Sequence, residues 1–105
     1  MIRWLVAFLL TQLVEIPVYR FGAGAPWWVA AMASTLTHPI VWFVFPLIPG
    51  VDYWPMVALA ELFAVVAEAL WLRLNRVPGG LLWSLAANAS SVLVGLTLRA
   101  LIGYP

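Results

Sequence analysis

The chain has 105 residues, enough for one domain. Sixty-six per cent are apolar and only nine per cent charged, with a net charge of +1, whereas a soluble domain carries about 45–50 and about 25 per cent. So few charges cannot clothe a soluble body of this size, which predicts an integral membrane protein and excludes a disordered chain. The basic residues are all Arg and form no cluster larger than Arg73 with Arg76, which argues against nucleic-acid binding. With no cysteine, disulfides, thiolate metal sites, c-type haem attachment and iron–sulfur clusters are excluded.

A helical span of the hydrocarbon needs about 20 apolar residues, within about 17–25. Four such stretches can be cut from the chain, at residues 4–20, 27–45, 55–74 and 81–102. The first is short, holds Gln12, Glu15 and Pro17, and ends in the Gly/Pro turn Phe21-Gly22-Ala23-Gly24-Ala25-Pro26. The second contains Pro39 and stops at Pro46-Leu47-Ile48-Pro49-Gly50. The third opens on Trp54-Pro55, where a missing N–H costs nothing. The fourth follows Pro78-Gly79-Gly80. The runs are apolar on nearly all sides, which excludes the alternation of a transmembrane β-barrel and the polar outer face of a soluble bundle. The fold class is therefore all-α: a polytopic, four-transmembrane-helix bundle forming one domain over 1–105.

Trp4, Trp27, Trp28, Trp54, Trp71 and Trp83 fall near span ends, where amphipathic rings sit at headgroup level, and only Trp42 reads as lying well inside. The N-terminus also mimics a signal peptide, with Arg3, an apolar run and Ala23-Gly24-Ala25, but Gln12 and Glu15 interrupt the run and favour a span. Arg20, Arg73 and Arg76 lie on one side, Arg3 and Arg99 on the other, which leans towards cytoplasmic first and third loops.

The informative residues are the polar ones at membrane depth. Glu15, Glu61, Glu68, His38 and Asn88 all fall inside spans, and ionisable groups there normally face a bundle interior or a water-filled cavity. In the third span eight large apolar side chains contribute about −2 to −5 kcal/mol to insertion, against about +5 to +7 for two ionised Glu. That helix needs a partner helix, protonation, or both. Residues three, four and seven apart share a face. Thr11, Gln12, Glu15 and Tyr19 then form one stripe, Ser34, Thr35 and His38 a second, Glu61 and Glu68 a third, and Ser84, Asn88, Ser91 and Gly95 a fourth. A rise of about 1.5 Å per residue puts Glu15 and Glu68 about 7–8 Å from the face carrying Arg20 and Gly80. Asn88 and Thr35 follow at about 12–14 Å, and His38 and Glu61 at about 18 Å, near the midplane. Such layers are what proton relays and cation paths are built from.

Each element has a plainer reading. Pro39 frees a carbonyl one turn back, which a neighbouring His or Thr could satisfy. Asn88 with its serines can be interhelical glue, and Gly95 can simply permit close packing. Asn88-Ala89-Ser90 matches a glycosylation triplet but lies in mid-span. The Glu-x-x-His spacing of di-metal carboxylate bundles is missing, no catalytic or nucleotide-binding signature occurs, and no metal or cofactor is expected.

By Glu15, the Thr37-His38-Pro39 step, the Glu61 and Glu68 pair and the Asn88-Ala89-x-Ser91 run, the chain resembles a group of small four-span prokaryotic membrane proteins of uncharacterised function. The resemblance covers most of the chain, implies a prokaryotic cytoplasmic membrane, and implies no activity. The residues themselves favour a transport or channel protein for protons or a small cation. In that reading His38 and Glu61 exchange protons at the midplane, Glu15 and Glu68 stand at one mouth, and Asn88 and Thr35 are neutral ligands. Four short helices hardly enclose a pore alone, so the expected partners are the bilayer and either further copies of the chain or other membrane subunits. An accessory subunit of a larger complex is the alternative. An intramembrane enzyme acting on a lipid-like substrate comes third and is the less favoured class, with no catalytic residues assigned.

Overall fold

The computed structural model describes residues 2–104. Four helices account for most of them: α1 (Ile2–Pro17), α2 (Trp27–Phe43), α3 (Tyr53–Leu74) and α4 (Gly80–Ile102). A wide turn, Val18–Gly22, lengthens α1, and a tight 3₁₀ turn, Phe45–Leu47, follows α2. With these turns each helical segment runs 21 to 23 residues, long and apolar enough to cross a membrane, or about 32–35 Å of rise. The longest molecular dimension is 37 Å, close to a hydrocarbon core of about 30 Å with its margins. The chain is an all-α bundle and, by these helices, an integral membrane protein. The helical segments run one or two residues beyond the expected bounds at one or both ends. Trp42, read as lying well inside, stands one residue before the end of α2.

Connections of a few residues make consecutive helices antiparallel neighbours. α1 packs on α2, α2 on α3 and α3 on α4, and α4 closes the ring on α1.

Burial is concentrated at one end. The close-packed cluster is Tyr19, Ala25, Val29, Ala30, Ala33, Leu72, Val77 and Ala87, with Trp71 and Trp83 against it. This is the end of the first and third loops. Small residues let the backbones approach there, which is how membrane helices gain packing when lipid is as apolar as leucine. At Gly80 a side-chain carbon would lie 2.9 Å from the Ala69 carbonyl oxygen, and at Gly22 one would lie 2.5 Å from the Trp83 ring. Hydrogen bonds reinforce the same end: Trp71 Nε1 donates to the Val29 carbonyl at 3.0 Å and Ser84 Oγ to the Val65 carbonyl at 2.7 Å. At the other end burial stops. Among the described residues none is buried in α1 before Glu15, in α2 after His38, in α3 before Ala60 or in α4 after Asn88.

Candidate functional site

Pro17 shapes the site from the α1 side. Its ring has no N–H and crowds the preceding turn, and the chain beyond it widens, with Ala23 N–H donating to the Val18 carbonyl five residues back at 3.1 Å. Such wide turns recur at functional sites. Here the turn carries Tyr19, which is fully buried and sends its hydroxyl across the bundle to Glu68.

Glu68 on α3 is the most fully bonded acid of the interior. Its Oε1 accepts from Tyr19 Oη at 2.6 Å and from Asn88 Nδ2 at 3.3 Å, and its Oε2 accepts from Thr37 Oγ1 at 2.7 Å. Donors from all four helical segments of the ring but its own thus meet on one carboxyl. Asn88 also donates to the Ser84 carbonyl at 2.9 Å, so α4 is tied to itself and to α3 by one amide. Glu15 on α1 is just as buried, at 1% exposure for both, but less satisfied. Its Oε2 accepts from Ser91 Oγ at 2.7 Å, while its Oε1 is buried with no donor among the described residues. The Glu15 and Glu68 carboxyls also face each other.

These groups form the floor of a cavity of about 200 Å³ that runs up the bundle axis, past His38, Glu61 and Ala64, to Trp42, Val57 and Arg99. It is open along part of its length. Glu61 lines it half-buried. The interior hydrogen bonds go to Glu15 and Glu68 and none reaches Glu61 among the described residues. Three carboxyls therefore occupy three settings: Glu68 saturated, Glu15 half-satisfied at the floor, and Glu61 without a partner on the wall.

Of the six residues expected to form a site, the structure brings five, Glu15, His38, Glu61, Glu68 and Asn88, onto one cavity. Thr35 stands apart. Gln12 draws it into a separate cluster between α1 and α2, in which Gln12 Nε2 donates to Thr35 Oγ1 at 2.9 Å and Ser34 Oγ donates to Gln12 Oε1 at 2.8 Å. His38 shares the cavity with Glu61, but no hydrogen bond joins them among the described residues. Its ring is packed among Phe8, Trp42 and Trp4, at 5.5, 6.0 and 6.1 Å between centroids, and its Nδ1 is buried without a partner. Glu15 and Glu68, expected at a mouth, are at the closed floor, because the side chains beyond them are the packed cluster around Tyr19 and Leu72. Among the described residues no group of three His, Cys, Asp or Glu is placed to hold a metal ion. Comparison with models of known families, with curated proteins and with solved structures finds no match.

Two residues that matter here carried weaker signals. Tyr19 falls on the polar stripe of Glu15 by its four-residue spacing, but spacing does not show that its hydroxyl crosses to Glu68. Thr37 lies three residues after Ser34 and could have been placed on the polar face by that spacing.

Proposed function

We propose that this chain is a small membrane transport protein that binds a proton or small cation in its acid-lined interior. The observation that carries the proposal is the Glu15 Oε1 atom: a buried acceptor without a donor among the described residues, on a side chain that lines the cavity. Stranding such a group is costly at membrane depth. A proton or cation supplies what it lacks and offsets the repulsion of the facing Glu68 carboxyl. Glu68 is the fixed counterpart, since Tyr19, Thr37 and Asn88 hold both its oxygens. Glu61 and His38 flank the route up the cavity, and Asn88 is the neutral ligand. Thr35 has no part, because its hydroxyl serves Gln12 and the Ala31 carbonyl.

The closed floor favours a carrier, which exposes its site to one side at a time, over an open channel. Homo-oligomers fit a bundle too small to enclose a continuous pore, and the prokaryotic cytoplasmic membrane is proposed on the resemblance alone. An accessory subunit is less well supported, because the polar stripes turn on one another and leave little polar outer face for a partner. An enzyme is less well supported again, because the hydroxyls of Ser34, Thr37 and Ser91 donate to Gln12, Glu68 and Glu15 and none bonds to His38 among the described residues.

Flux into proteoliposomes tests the proposal. Wild-type vesicles should carry protons or a common alkali cation about tenfold or more faster than empty ones, and Glu15→Gln should remove that flux while the protein still inserts and folds. Wild-type flux equal to that of empty vesicles for protons, sodium and potassium would overturn it.

A further inference from the structure

The interior cavity shares part of its lining with a second one. A groove of about 300 Å³ lies between α3 and α4, lined by Leu62, Val65, Leu85, Ala89 and Val92, with Glu61 and Asn88 as its polar residues. Leu62 is 61% and Leu85 50% exposed, so the groove faces the surrounding hydrocarbon. Glu61, Asn88 and Val92 belong to both spaces. An acid with no hydrogen-bond partner among the described residues thus lies where an apolar route from the bilayer meets the polar interior.

We propose that this groove is a lateral portal for lipophilic ammonium compounds, with the cationic head at Glu61 and the alkyl tail between α3 and α4. The proposal goes beyond the transport reading: it adds a site for a different class of ligand at Glu61 and stands on the groove's own lining. Charge decides the head. Asn88 uses its amide N–H groups on Ser84 and Glu68, which leaves its carbonyl oxygen as the acceptor it can offer in the groove that it lines with Glu61. The walls decide the tail. A hydrated alkali ion would lose its water against leucine and valine with no polar replacement, whereas an alkyl chain is already solvated by hydrocarbon and gives up nothing on entering. The bilayer concentrates such molecules, so apparent affinity from water should rise about fourfold with each added methylene. Glu15 and Glu68 do not line the groove and are almost wholly buried, which leaves Glu61 as the acid that meets the incoming head first.

Protein in phosphatidylcholine nanodiscs, treated with the hydrophobic carbodiimide N,N′-dicyclohexylcarbodiimide and mapped by mass spectrometry, provides the test. The adduct should form at Glu61 and not at Glu15 or Glu68, and Glu61→Gln should abolish it. Dodecyltrimethylammonium should slow labelling about tenfold, while dodecanol and tetramethylammonium leave it nearly unchanged. Ala89→Trp, which fills the groove, should slow labelling without ligand. Equal protection by tetramethylammonium would mean entry through the aqueous cavity and would overturn the portal, as would absence of protection by the long-chain cation. A wild-type Glu61 that resists labelling because a second copy covers α3 and α4, seen as a cross-linked dimer at Leu85→Cys, would overturn it too. The flux assay separates the two ideas: Glu15-dependent proton or alkali flux without protection removes the portal alone, and protection without any flux removes the transport reading alone.

Discussion

The two ends of the bundle are built on different rules. At the end of the first and third loops, Tyr19, Leu72, Val29 and a set of alanines are packed to zero or near-zero exposure, and Gly80 brings α4 against the α3 backbone. At the end carrying Arg3 and Arg99 none of the described residues of the same four helices is classed as buried, and a cavity lies between them. The acids lie at the boundary. Glu68 belongs to the packed end through three hydrogen bonds, Glu61 belongs to the cavity, and Glu15 lies between, with one oxygen bonded to Ser91 and the other without a donor among the described residues. The contrast teaches that one end keeps the bundle assembled while the other leaves space between its helices.

Substitutions that strike the two ends should therefore differ in kind. The largest effect on stability is expected from Glu68→Ala, which strands the donors of Tyr19, Thr37 and Asn88. Interhelical hydrogen bonds in membranes average about 0.6 kcal/mol each, and unsatisfied partners add to that, so the loss should reach about 2–4 kcal/mol by thermal unfolding in detergent. A melting temperature equal to wild type would show that this network does not hold the packed end together. Gly80→Ala comes next. Its methyl meets the Ala69 carbonyl oxygen at 2.9 Å, and forcing α3 and α4 apart should cost about 1–3 kcal/mol. The smallest effect belongs to Gly95→Ala. Nothing lies within 4 Å of that position, so an added methyl should leave stability unchanged or raise it by up to about 1 kcal/mol through helix propensity alone. A large loss at Gly95 would erase the distinction between the ends.

Much of the architecture could be read from the chain. Long apolar runs separated by Pro46-Leu47-Ile48-Pro49-Gly50 and by Pro78-Gly79-Gly80 leave few choices for span number or boundaries, because a membrane tolerates only closed hydrogen bonding. The seven-residue step from Glu61 to Glu68 and the stripe Ser84-Asn88-Ser91 place those groups on inward faces by helical spacing alone. What spacing could not supply was partner choice across helices. Glu61 and His38 match in depth, yet His38 turns to Trp4 and Phe8 of α1, thirty or more positions away in the chain. Thr35 matches Asn88 in depth, yet Gln12 reaches it first. Gly95 lies on the polar face of α4 but helps no close approach, since helix separation there is set by the bundle and not by the residue. Each of these outcomes depends on the rotation of one helix against another, which a single-helix pattern does not contain.

The connectivity has a mechanical consequence. Short links tie α1 to α2 and α3 to α4 at the packed end, and α2 to α3 at the other. No loop ties α1 to α4, although they are neighbours in the ring. Beyond Ser91 that seam is held by weak contacts such as the stacking of Arg3 over Tyr104 at 5.4 Å. The barrel of helices thus resembles a purse stitched on three sides, and its natural way to gape is for the first and last helices to part.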